Sequence, residues 1–78
     1  MKGATVSTYA IVIEKGETGT FGAYSPDLPG CVAVGETEEE TLQLMREAMT
    51  EHLALLRAEG DVIPESHTVS ATTFTIAA

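Results

Sequence analysis

The strongest constraint on the fold of this 78-residue chain is one amphipathic segment with clear start and stop signals. Thr37 and Glu40 form the Thr-x-x-Glu pattern of a capping box, and the acidic first turn suits the helix dipole. Glycine is typical of the position just past a helix end, and Gly60 fits that position. The pattern predicts one helix over about residues 38–59, with an apolar stripe of Leu42, Met45, Met49, Leu53 and Leu56, widened by Leu44, Ala48 and Leu55.

The segments around this helix are rich in β-branched and aromatic residues, and glycine or proline separates them. They predict strands over 8–15, 20–25, 31–34 and 68–76, with Tyr9, Ile11 and Ile13 on one face of the first. The order βββαβ predicts an α+β fold: a mixed four-stranded sheet with one helix on one face. We expect the first three strands to be antiparallel, and a right-handed crossover if the fourth lies parallel to one of them.

A chain of this length holds one core, so we expect a single domain over residues 1–78 and no DNA-binding domain after Ile76. The single cysteine, Cys31, cannot form an internal disulfide and more closely resembles a small buried apolar residue than a reactive thiol. One helix covers only one sheet face, and small domains often gain stability by association. These points predict a homo-oligomer, a dimer or a tetramer. The sequence signals neither secretion nor a membrane span, so we expect a cytoplasmic protein.

The charge balance disfavours one class of partner. Twelve acidic residues against four basic ones give a formal charge of −8. Such a charge opposes binding to nucleic-acid phosphates, so no direct nucleic-acid binding is expected. It favours encounter with a cationic protein, although acidity also serves solubility alone.

The sequence offers little for catalysis. His52 and His67 lack a nucleophile and an acid partner at usable spacing. The run Glu38-Glu39-Glu40 is explained by its place in the first helical turn. We therefore expect no enzyme activity, no metal and no cofactor.

One loop stands out as a candidate binding element. Residues 24–31 read Tyr-Ser-Pro-Asp-Leu-Pro-Gly-Cys, and two prolines within four positions fix the backbone at small entropic cost. A plain strand-to-strand turn is the alternative explanation. The candidate partner-binding residues are Tyr24, Pro26, Asp27, Leu28, Pro29 and Gly30.

This loop, the following Gly35-Glu-Thr-Glu-Glu-Glu40 helix start, the helical pair Glu47-Ala48 and Ile63-Pro64 together resemble the HicB-like antitoxin family. The resemblance spans nearly the whole chain and implies a reduced RNase-H-like fold, in strand order 3-2-1-4 with the fourth strand parallel to the first. It also implies loss of the nuclease's catalytic acids, and a partner: a small basic HicA-type toxin that cleaves mRNA.

Three functional hypotheses follow. The first is a non-catalytic antitoxin domain that neutralises such a toxin. The second is an orphan oligomerisation or interaction module with no toxin. The third is a residual metal-dependent nuclease that uses Asp27 and helix carboxylates.

Overall fold

A computed structural model describes residues 7–77. In chain order it contains β1 (Val12–Lys15), β2 (Phe21–Tyr24), β3 (Val32–Gly35) and α1 (Glu38–Ala58). The strands form one antiparallel sheet in the order β1-β2-β3. The helix packs across β3 and β2, which makes two layers. This arrangement confirms the α+β class and the single long helix.

Alternation along the strands separates a helix-covered face from an open face. Ala23 on β2 pairs with Ala33 on β3, and both pack into the core beneath α1. The next pair along, Tyr24 and Val32, points to the other side, where Val32 is 65% exposed. Val34 lies on that side as well and is 64% exposed. The open face therefore carries apolar side chains in solvent.

The core beneath the helix is small and draws on all three strands. Its buried apolar members are Ala23, Leu28, Cys31 and Met45, and the predicted β1 face of Tyr9, Ile11 and Ile13 packs against them. From the helix, Ala48, Met49 and Leu53 join this cluster. The prediction is right for Ala48 and wrong for Leu44 and Leu55, which are exposed. Leu42 of the main stripe is exposed too, because the narrow sheet contacts only one side of the helix.

The two ends of α1 follow the sequence signals closely. The Thr37 side chain accepts a hydrogen bond from the Glu40 N–H at 3.0 Å. The Glu40 carboxylate accepts one from the Glu36 N–H at 2.7 Å, one residue before the cap. At the other end the Asp61 N–H donates to the Leu56 carbonyl at 2.9 Å, in a Schellman-type termination around Gly60.

The β3-to-helix junction depends on a close approach at Gly35. A Cβ atom at this residue would lie 2.7 Å from Thr41 Oγ1 and 3.1 Å from the Thr41 backbone nitrogen. Thr41 is itself fully buried, and its hydroxyl donates to the Thr37 carbonyl at 2.7 Å. Glycine at the end of β3 thus lets the first helical turn sit directly on the sheet.

The predicted fourth strand is not formed within the described chain. Residues 61–77 make no ladder with the sheet, which has three strands rather than four. Their side chains lie mostly in solvent. This corrects the mixed four-stranded sheet for the single chain. No helix among residues 7–77 is long and apolar enough to cross a membrane.

Candidate functional site

The proline-containing loop after β2 is tied to the core by its central leucine. Leu28 has no exposed surface and packs with Met45 of α1 and with Cys31. Its backbone N–H donates to the Ser25 carbonyl at 3.3 Å, which closes a tight turn over Pro26 and Asp27. Leu28, one of the candidate binding residues, therefore acts as the buried anchor that holds the loop in place.

The rest of the loop faces outward around this anchor. Tyr24, Pro26, Pro29 and Gly30 are exposed, and Asp27 is partly exposed. Gly30 has φ of 84°, a left-handed conformation that side-chain-bearing residues rarely adopt. The structure thus brings the candidate residues together in one loop after β2, anchored in the core at Leu28.

Asp27 is engaged within the chain, by residues the sequence did not link to it. Its Oδ2 accepts hydrogen bonds from the backbone N–H groups of His67 at 3.1 Å and Thr68 at 2.8 Å. The Thr68 side chain, then the Thr68 and His67 backbone N–H groups and the His67 charge, hold the pKa of the Asp27 carboxyl below its ordinary value of 3.8. Asp27 therefore holds the backbone of His67 and Thr68 against the loop. We call this pair of hydrogen bonds the clamp, and residues 64–68 the clamped stretch.

A second contact fixes the same stretch. The Tyr9 hydroxyl donates to the carbonyl of Pro64, the second residue of the Ile63-Pro64 pair. Sequence reasoning missed both contacts, since neither residue separation nor residue type signals them.

The remaining candidates for chemistry stay apart. Within the part of the chain that the structure describes, no three His, Cys, Asp or Glu side chains converge to hold a metal ion. Cys31 is 5% exposed, and burial raises the pKa of its thiol. It is a core residue, as the sequence predicted. The loop and residues 64–68 therefore offer exposed surface for binding.

Comparison with known proteins agrees with the sequence motifs. The family model described as "HicB_like antitoxin of bacterial toxin-antitoxin system" matches residues 9–75. A UPF0150 protein of Thermoplasma acidophilum is 32% identical over 59 residues, which cover 76% of this chain and 86% of that protein. One from Synechocystis is 33% identical over 60 residues, covering 77% and 76% of the two chains.

The fold also has a counterpart among solved structures. The crystal structure of the N-terminal domain of the antitoxin HicB from Burkholderia pseudomallei superposes with a TM-score of 0.65 at 30% sequence identity. The match covers 78% of this chain and 69% of that one.

Proposed function

The chain belongs to the HicB-like antitoxin family, and we propose that it is a non-catalytic protein-binding domain that neutralises a small basic HicA-type mRNA-cleaving toxin. The observation that carries this proposal is the family match over residues 9–75, which includes the loop, the helix and the clamped stretch. The similar Burkholderia structure is that of an antitoxin domain, which supports the same role here.

Charge supports a cationic partner. The chain has a formal charge of −8, and the exposed glutamates include Glu36, Glu38, Glu39 and Glu40 around the helix start and Glu47 and Glu51 further along. Only Lys15, Arg46 and Arg57 are basic among residues 7–77. Such a field speeds encounter with a basic protein and repels nucleic acid, and its effect weakens as salt is added.

The contact surface that we propose is the loop and the adjoining part of the open face. Tyr24 is 39% exposed and lies opposite Val32 on the neighbouring strand, which is 65% exposed. Tyrosine is a frequent anchor in interfaces because it buries a large apolar ring and keeps a hydrogen-bonding hydroxyl. Pro26, Pro29 and Gly30 extend this surface, while Leu28 and Asp27 keep it in shape.

The test is inhibition of RNA cleavage by a purified HicA-type toxin from the source organism, titrated with the full chain. We expect stoichiometric protection of the RNA, with affinity that falls as salt rises. Tyr24→Ala should weaken protection by roughly 10-fold or more, which corresponds to about 1.4 kcal/mol or more of binding free energy. The exposed helix variant Leu55→Ala is the matched control. Absence of protection at a large molar excess of the chain contradicts the proposal.

A second function, self-association without a toxin, has its own supporting observation. Three apolar side chains on the open face, Tyr24, Val32 and Val34, lie in solvent. A patch of this kind usually marks an interface. We propose that the chain is a homo-oligomer in either case; a defined oligomer that binds no toxin would favour the orphan-module hypothesis.

A further inference from the structure

The segment over residues 69–77, termed the tail, has the composition of a strand but no partner on its own chain. Val69, Phe74 and Ile76 are 96%, 84% and 73% exposed. The rest of the tail is threonine, serine and alanine, with no charged side chain. β-Branched and aromatic residues favour strands, and three large apolar side chains in water are unfavourable. The tail therefore has the properties of a strand that completes a sheet elsewhere.

The start of the tail is fixed in place. Asp27 holds the His67 and Thr68 N–H groups, and Tyr9 holds the Pro64 carbonyl, just before the tail begins. Beyond this point every residue of the tail is exposed and none pairs with the sheet of its own chain. A segment that is fixed at its start and unpaired on its own chain is available for exchange with a second copy.

A receiving edge is present on the same molecule. β1 is the first strand of the β1-β2-β3 order, so among residues 7–77 the backbone groups on its outer side have no strand beside them. An unpaired edge of this kind is a template for another strand. Since β1 (Val12–Lys15) has only four residues, the nine-residue tail is long enough to pair along the whole length of β1.

Next to that edge runs an apolar groove between α1 and the segment that leads into β1. It has a volume of about 440 Å³, and Tyr9, Ile11, Leu42, Met49 and Leu53 line it. Leu42 is 42% exposed there. Phe74 and Ile76 are two residues apart, so in a strand they point to the same side. A strand added to β1 with that side toward the helix delivers both side chains to the groove.

We propose that the tail of one copy adds as the outer strand on β1 of a second copy, with Phe74 and Ile76 in its groove. Two-fold symmetry makes the exchange reciprocal, so each sheet in the dimer gains a fourth strand. Because the tail has no charged side chain, the acidic second copy does not repel it. This inference deepens the proposed self-association and does not require a toxin.

The first experiment is the mass of the full chain in solution by light scattering during gel filtration. We expect twice the chain mass of 8.2 kDa. Phe74→Ser with Ile76→Ser should raise the dimer dissociation constant by roughly 100-fold or more. Thr73→Ser with Thr75→Ser, which places the same residue on the other side of the tail, should remain dimeric. All four positions are exposed, so helix content by circular dichroism should not change.

Two results overturn the exchange. A wild-type chain that is monomeric at every concentration would contradict both the strand exchange and the proposed self-association. A Phe74/Ile76 variant that dimerises like wild type removes the exchange alone and leaves association through the open face standing.

Cross-linking separates exchange from closure within one chain. In a Cys31→Ala background, Glu14→Cys on β1 and Thr73→Cys in the tail are combined in one chain and joined by a short bis-maleimide. Exchange predicts a covalent dimer on a denaturing gel, also when the two cysteines are on separate chains that are mixed. A cross-linked monomer shows that the tail returns to its own β1 and contradicts the proposal.

Discussion

Truncation of Leu28 to alanine should remove a large part of the folding free energy, although the residue lies in a loop. Its side chain is fully buried against Met45 and Cys31. Leu→Ala removes three carbon groups at about 0.8 kcal/mol each, roughly 2.4 kcal/mol before any cavity cost. Buried Leu→Ala changes cost about 2–5 kcal/mol in all. Domains of this size have only roughly 4–12 kcal/mol of stability, so the variant should lose a large fraction of it.

The assay is urea unfolding followed by the circular dichroism of α1, at one fixed protein concentration because association adds to apparent stability. Leu55→Ala is the matched control. Leu55 lies on α1 and is 55% exposed, so this variant should lose less than about 1 kcal/mol of folding free energy. Leu28→Met, which keeps the volume, should lose less than about 1.5 kcal/mol and stay folded. Equal losses for Leu28→Ala and Leu55→Ala would show that the loop is not anchored through this side chain.

Three further changes test the junction, the helix start and the clamp. Gly35→Ala should cost about 1–3 kcal/mol by overpacking against the first helical turn, whereas Gly22→Ala, with its nearest atom 3.9 Å away, should be neutral or slightly stabilising in the same urea assay. Thr37→Ala loses the side-chain cap and should lower stability by about 1 kcal/mol, or Tm by roughly 4–8 °C, read from a thermal melt. Because the pKa of Asp27 is lower in the folded chain, its hold on the Thr68 amide should be complete above the ordinary value of 3.8 and lost as pH falls through the lowered value. An NMR titration of the Thr68 amide measures this loss, and Asp27→Asn should speed hydrogen exchange of that amide at neutral pH; a Thr68 amide unchanged by pH and by Asp27→Asn would contradict the clamp.

The position of the proline-containing loop in the chain was predictable from the sequence, but the packing of its individual residues was not. Two prolines and a glycine within five positions identified the loop, since those residues restrict or free the backbone in known ways. The same sequence did not reveal that Leu28 faces the core while Pro26 and Pro29 face solvent. Which way a loop side chain points depends on the elements it packs against, and those meet only in the folded chain.

The sequence by itself determined the features that depend only on residues close together in the chain. Helix start and end at Thr37 and Gly60 follow from hydrogen bonds within a few residues, and the β1 face follows from alternation along one strand. Tertiary structure decided the rest. The Asp27 clamp joins positions forty residues apart, and the helix buries less of its stripe than its period suggested because the sheet beneath it is narrow. Strand propensity over residues 68–76 describes a segment able to pair, but pairing also needs a free edge within reach, and in the described chain these residues join no sheet.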